Sequence, residues 1–306
     1  MVELRDEIAV HVSDLKVLLA REKCSTTHGK IVLFLDDRPV PAATPHPQVD
    51  PARSELRFVL ERKEDSRDAW AHLLGKPSFA DHPFRVSVGI ADEYPISSDK
   101  LVNLRAIPRP WFWTWAIILL FLVVGFLLLA VRSDVLRDTG PQPNAGVRKP
   151  YSLAKMQAAW WFFLILASYM FIGLISGDYG TIITSTVLSL MGISAATAVG
   201  SATIDAGKAN AAAAAAAAAV VAGVAAPVVV TPTTKGRWWL DILSDENGVN
   251  FHRFQMASWT AVLGVIFVHD VYIGLAMPNF DNTLLGLLGI SAGTYLGLKT
   301  TSETKS

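Results

Sequence analysis

Apolar positions follow two regimes along this chain. Up to about residue 105 they come in short runs, EIAVHV, KIVLFLDD, ELRFVLER and FRVSVGIAD, divided by turn-forming stretches such as DDRPVPAATPHP and KPSFADHP. Leu56-Arg57-Phe58-Val59-Leu60 and Phe84-Arg85-Val86-Ser87-Val88 alternate apolar with polar, as half-buried strands require. SRDAWAHLLG departs from this pattern. Ser66 can cap it, Trp70, Leu73 and Leu74 fall at helical spacing, and Gly75 can stop it, which predicts a short helix. Residues 1–105 therefore read as a small all-β soluble domain, sandwich-like but without the Cys-Trp-Cys pattern of immunoglobulin domains.

Beyond residue 110 the apolar runs lengthen. WFWTWAIILLFLVVGFLLLAV, residues 111–131, is long enough at ~1.5 Å per residue to cross a ~30 Å hydrocarbon core. Trp111, Trp113 and Trp115 crowd one end of it, where amphipathic rings suit the headgroup level. Further spans are expected at 156–176, 180–202, 254–275 and 282–298. The fold class is a multi-pass α-helical membrane protein of about five spans with an N-terminal β-domain.

The later spans repeat one another. Gly192 to Thr197 read GISAAT, and Gly289 to Thr294 read GISAGT. The match extends to Leu188, Leu190, Gly200 and Thr203 against Leu285, Leu287, Gly297 and Thr300, in one constant register. Upstream, Asp134-Val135-Leu136-Arg137-Asp138 matches Asp241-Ile242-Leu243-Ser244-Asp245, and the stretch from Lys155 to Trp161 matches that from Arg253 to Trp259. Three ordered blocks predict a duplicated helical hairpin, with copies at 132–205 and 237–306. Residues 206–236, rich in alanine and broken by Pro227 and Pro232, read as a low-complexity linker; a sixth span is the alternative, although alanine drives insertion weakly.

Charge sets the orientation. The hairpin tips lack Lys and Arg, whereas the lead-in segments carry Arg132, Arg137, Arg148, Lys149 and Lys155, then Lys235, Arg237 and Arg253. The positive-inside rule places the tips outside and the lead-ins and C-terminus in the cytoplasm of a plasma or inner membrane, with parallel repeats. It also puts the β-domain outside, against the pull of Lys100, Arg105 and Arg109. The acidic start MVELRDE has no apolar h-region, which predicts no cleavable signal peptide. Arg237-Trp238-Trp239-Leu240-Asp241-Ile242-Leu243 reads as an interfacial amphipathic piece.

Two stripes run along the GISA spans. Gly192, Ala196 and Gly200, and likewise Gly289, Gly293 and Gly297, recur every four residues, a spacing that lets membrane helices approach closely. Beside them, Ser194, Thr197, Ser201, Ser291 and Thr294 form a hydroxyl stripe; they either bond back to their own helix or across to a neighbouring one, or line a pore. Gln157 and Gln255 each lie one turn from a tryptophan, Trp161 and Trp259, near the inner headgroups. His269-Asp270, which breaks the repeat, is an ionisable pair inside an apolar run.

Composition removes most other chemistry. Basic and acidic residues balance at 27 each, so no net field points to nucleic acid. Cys24 is alone, which rules out an intramolecular disulfide and a cysteine-built zinc site. No HExxH, GxSxG, Walker A or dinucleotide motif occurs, so neither catalytic residues, cofactor nor metal are expected; Asp36 and Asp37, which with His82 come nearest to a divalent site, read more simply as a turn. Two functions remain open. One is an oligomeric ion channel or pore with the hydroxyl faces around an axis. The other is a non-conducting sensor or scaffold whose outer β-domain binds an extracytoplasmic ligand or partner. Both imply a bilayer and a homo-oligomer, and the pore also implies a small ion.

Overall fold

The computed structural model describes residues 2–3, 6–24, 30–40, 48–50, 53–60, 70, 79, 81–91, 93–96, 98–105, 107, 109–141, 146–176, 179, 182–225, 233–234, 236–245 and 248–301. They form two compact units: Met1–Ile117 with Tyr169–Ile182 and His269–Met277, and Ile118–Ser168 with Ile183–Val268 and Pro278–Ser306.

In the first unit the expected runs are strands. β1 (Val2–Glu3), β2 (Glu7–His11), β3 (Ile31–Leu35), β4 (Arg38–Pro39), β5 (Gln48–Asp50), β6 (Glu55–Val59), β7 (His82–Ile90) and β8 (Leu101–Arg105) make two sheets, ordered β1-β8-β7-β3-β4 and β2-β6-β5. Among the described residues only the β1–β8 pairing is parallel. Asp36 and Asp37 join β3 to β4 with φ of 49° and 61°, the two left-handed residues of a tight hairpin turn, and Asp36 Oδ1 accepts from the Arg85 amide at 2.7 Å. Alternate positions from both sheets, among them Leu33, Leu35, Leu56, Phe58, Val86 and Val88, meet in one core. A helix that the alternation does not predict, α1 (Leu15–Cys24), adds Leu15 and Leu18 to it. Of SRDAWAHLLG only Trp70 is described; it is helical and fully buried, and the rest lies outside the described residues.

This core takes in more than the β-domain. Ile175 and Leu275 are buried in the same cluster, and Phe112, Phe171 and Leu174 pack against it. They belong to the two hairpin tips and to the start of the first apolar helix. Full burial of one such aliphatic side chain contributes about 1.5–3 kcal/mol.

Helices α2 (Arg109–Arg132), α3 (Leu153–Ser176), α4 (Ser185–Ala222), α6 (Phe251–Gly274) and α7 (Asn282–Thr301) are the long ones; α5 (Trp238–Leu243) is short. Four of them, α2, α3, α4 and α6, are long and apolar enough to cross a membrane, which fits a membrane protein. The expected fifth span is the 20-residue helix α7, but glycine, serine and threonine dilute its apolar character below that of the other four.

The third expected span differs from 180–202. Its helix begins at Ser185, where the Thr184 hydroxyl caps the Val187 amide, and runs unbroken for 38 residues. Nothing after Ala202 stops a helix, and alanine is its best former. Termination waits for Gly223, which takes the left-handed cap at φ 67°. The first half of the expected linker is thus a continuation of α4. Pro227 and Pro232 lie outside the described residues.

The two lead-in segments make matching bonds at matching positions. The Ser152 amide donates to Leu136 O at 2.8 Å and the Asn250 amide to Leu243 O at 2.9 Å. An antiparallel bridge joins Arg137 to Tyr151 in one, and β9 (Ser244–Asp245) pairs Ser244 with Val249 of β10 (Gly248–Val249) in the other. Ser152 and Asn250 then open α3 and α6, accepting from Met156 and Phe254 at 3.0 Å each.

Candidate functional site

Within the second unit, α4 and α7, which carry the two GISA strings, form the most extensive helix–helix contact. The buried face of α4 runs Val187, Leu190, Ser194, Thr197, Ser201 and Asp205, every third or fourth residue, and turns polar along its length. α7 answers with Leu288, Ser291, Tyr295 and Lys299. The seam ends in an ionic cluster. Lys299 Nζ donates to Ser201 Oγ at 2.6 Å and to Asp205 Oδ2 at 2.7 Å, and it reaches Asp138 Oδ1 at 3.5 Å. Its side chain is 8% exposed, and those of Asp205 and Asp138 are 7% and 10%.

Neighbouring groups close the cluster. The Tyr295 hydroxyl lies 3.4 Å from Ser201 Oγ, and its ring carries Arg253 at 5.5 Å and Lys299 at 6.0 Å from the centroid. Lys208 Nζ donates to Lys299 O at 2.7 Å, Lys155 Nζ to Arg137 O at 2.6 Å, and the Thr139 hydroxyl to Ala202 O at 3.1 Å. The ammonium of Lys299 thus has three acceptors for its three N–H groups. Such a group has no lone pair for nucleophilic attack and no open position for a substrate. What it can do is hold α7, α4 and the first lead-in segment together, because parting them strands buried charge.

Sequence reasoning missed this cluster, although a signal was present. Where α7 has Tyr295 and Lys299, the first copy has Ala198 and Ala202, and opposite Asp205 the second copy has Ser302. The same departure from the repeat singles out His269-Asp270. That pair lies in the first unit, with side chains 66% and 46% exposed and the His269 ring nitrogen 3.2 Å from the Asp270 carboxylate.

The hydroxyls of α4 and that of Ser291 turn inward, and most of the striped glycines turn outward. Ser194, Thr197, Ser201 and Ser291 are buried inside one chain, Ser194 at 2% and Ser291 at 6% exposure. The Thr197 hydroxyl bonds back to Ile193 O, and Ser194 Oγ has no partner among the described residues. Thr294 is exposed and bonds back to Ile290 O. A Cβ built at Gly192, Gly289, Gly293 or Gly297 meets nothing within 4 Å; at Gly200 it lies 3.0 Å from Leu296 Cδ1. Ala196 is exposed as well.

The glutamines are unequal. Gln157 is buried and donates to the Thr260 hydroxyl at 2.8 Å, while its Oε1 has no partner among the described residues. Its neighbour Trp161 is fully buried against Phe267 rather than anchored at an interface. Gln255 is half-buried. Among the described residues no group of His, Cys, Asp and Glu is placed to hold a metal ion. Compared with protein-family models, with curated proteins and with solved structures, the chain matches none of them.

Proposed function

We propose that this chain is a non-conducting membrane sensor or scaffold whose β-domain reads a ligand or partner and passes the event to the helices it is built on. One observation carries the reading: Ile175 and Leu275, at the ends of α3 and α6, are core residues of the β-domain itself. A domain tethered by α2 alone would bind without consequence for the hairpins. A domain whose core includes the hairpin tips repacks them whenever that core shifts.

The channel reading rests on hydroxyl faces gathered around an axis between chains. The burial of Ser194 and Ser291 within one chain favours the sensor reading over it. We place the β-domain and tips outside a plasma or inner membrane, by the positive-inside rule, and the end of α7 in the cytoplasm. The outward Gly192, Gly289, Gly293 and Gly297 are the surface through which copies would meet in a homo-oligomer.

Two measurements test the proposal. The purified protein in liposomes passes no more ions than empty vesicles; flux abolished by Ser194→Leu/Ser291→Leu would restore the pore. Proteins recovered with the chain from its native membrane depend on residues 1–105. An unchanged set after their removal, from a chain that still folds, refutes the sensor.

A further inference from the structure

We propose that the lead-in surface of the second unit binds the headgroups of anionic phospholipids. Exposed apolar side chains sit there on loops and helix starts rather than on spans: Val135, Val147, Trp238, Trp239, Val249 and Phe251. Hydrogen bonds hold this surface in shape. Arg148 donates to Val131 O at 2.7 Å and accepts, through its carbonyl, from the Thr234 amide at 3.1 Å. Asp241, buried, accepts from the Thr234 hydroxyl at 2.7 Å and from the Tyr151 amide at 3.3 Å. With Asp241 pinned inward, α5 presents Trp238 and Trp239 outward, 56% and 43% exposed. In this proposal α5 is the amphipathic interfacial piece expected from its sequence, and its tryptophans would sit at headgroup depth.

Charge decides which headgroups. The carboxylates on these segments face partners within the unit. Asp134 pairs with Arg137, Asp138 and Asp205 with Lys299, and Asp245 takes the Asn250 amide group at 2.6 Å. Arg132, Lys149, Arg237 and Arg253 form no ion pair with a described residue. Two of these cations are already stacked, Arg237 6.0 Å over Trp239 and Arg253 5.5 Å over Tyr295. A guanidinium held over a ring by its positive charge leaves N–H groups for bidentate bonds to a phosphate. Partnered acids, the exposed Arg132 and Arg237 with the half-buried Lys149 and Arg253, and exposed tryptophans together make a surface for a phosphate that carries acyl chains and net negative charge.

The test uses the full chain in a zwitterionic detergent, exposed to equal phosphatidylglycerol and phosphatidylcholine, with retained lipid read by native mass spectrometry. Phosphatidylglycerol is retained preferentially. Arg237→Gln/Arg253→Gln lowers that preference about 25-fold, since each surface cation is worth about fivefold. Lys16→Gln/Lys100→Gln, which removes the same charge from the β-domain, leaves the preference unchanged. Equal retention of both lipids by the native chain overturns the proposal, and this arm needs no variant to fold. So does a glutamine pair that retains phosphatidylglycerol as the native chain does, or inorganic phosphate that displaces the lipid at matched concentration, which would make the ligand a free anion.

Discussion

Replacing Lys299 with methionine removes the ammonium and keeps most of the apolar stem. It leaves Asp205 and Asp138, both at least nine-tenths buried, without the cation that lies 2.7 and 3.5 Å away. Removing one member of a buried pair costs about 3–5 kcal/mol, because the remaining charge stays desolvated and unpaired. Here one substitution orphans two carboxylates and the Ser201 hydroxyl's donor, so the upper half of that range is expected. Removing all the charge is different. Lys299→Met/Asp205→Asn/Asp138→Asn deletes the desolvation penalty with the attraction, and such replacements are often close to neutral. The triple variant should therefore be more stable than the single one, by about 2 kcal/mol. Reversible denaturation in mixed micelles measures both, followed by the fluorescence of the nine tryptophans, of which Trp161 is fully buried in the same unit. A loss below about 1 kcal/mol for Lys299→Met, or a triple variant no better than the single, would refute the view that buried charge fastens α7 to α4.

Four further outcomes follow from the packing. Ile175→Ala or Leu275→Ala costs about 2–5 kcal/mol and raises the protease sensitivity of residues 1–105, although both positions are far along the chain; unaltered cleavage would separate the tips from the β-domain core. Gly200→Val drives a side chain into Leu296 and destabilises the monomer by about 1–3 kcal/mol, whereas Gly293→Ala gains up to about 1 kcal/mol of helix propensity there and weakens self-association measured by mass in detergent. Thr260→Val strips Gln157 of its hydrogen-bond partner and costs about 1–3 kcal/mol, yet Gln157→Leu stays within about 1 kcal/mol because it also removes the unpaired Oε1; equal costs would contradict that asymmetry. Liposomes carrying the protein show no flux above background, and conduction by the native chain would sink the non-conducting reading.

The pattern of apolar residues made the β-domain strands and the apolar helices legible, because both periodicities are local. Leu56 and Phe58 announce their face two residues apart, and the uncharged run at 111–131 needs no tertiary information. Helix α1 was not legible, since Leu15 and Leu18 find their purpose only in a core assembled from distant strands. The length of α4 was misjudged at the point where hydropathy falls, but a helix ends where its backbone is stopped, at Gly223, and not where its side chains change. The stripes are periodic in the sequence, yet periodicity does not say which face turns inward. That choice came from Asp205 and Lys299, which pull the hydroxyl face of α4 against α7. Each of these charges looks ordinary by itself in the sequence, near the end of a hydrophobic run where lysine and aspartate are common.

The partners of Lys299 also carry an order in time. Asp138 and Asp205 precede it by 161 and 94 residues. At about 5–20 residues per second, α4 is made on the order of 5–20 s before its counter-charge. Throughout that interval the nascent chain holds two acids without the ammonium that contacts both, so α4 cannot settle into its final contact. A chain cut short before α7, or one whose second hairpin fails to insert, keeps those acids exposed indefinitely. Such a chain is marked by those two acids as incomplete, a chemical difference on which membrane quality control can act.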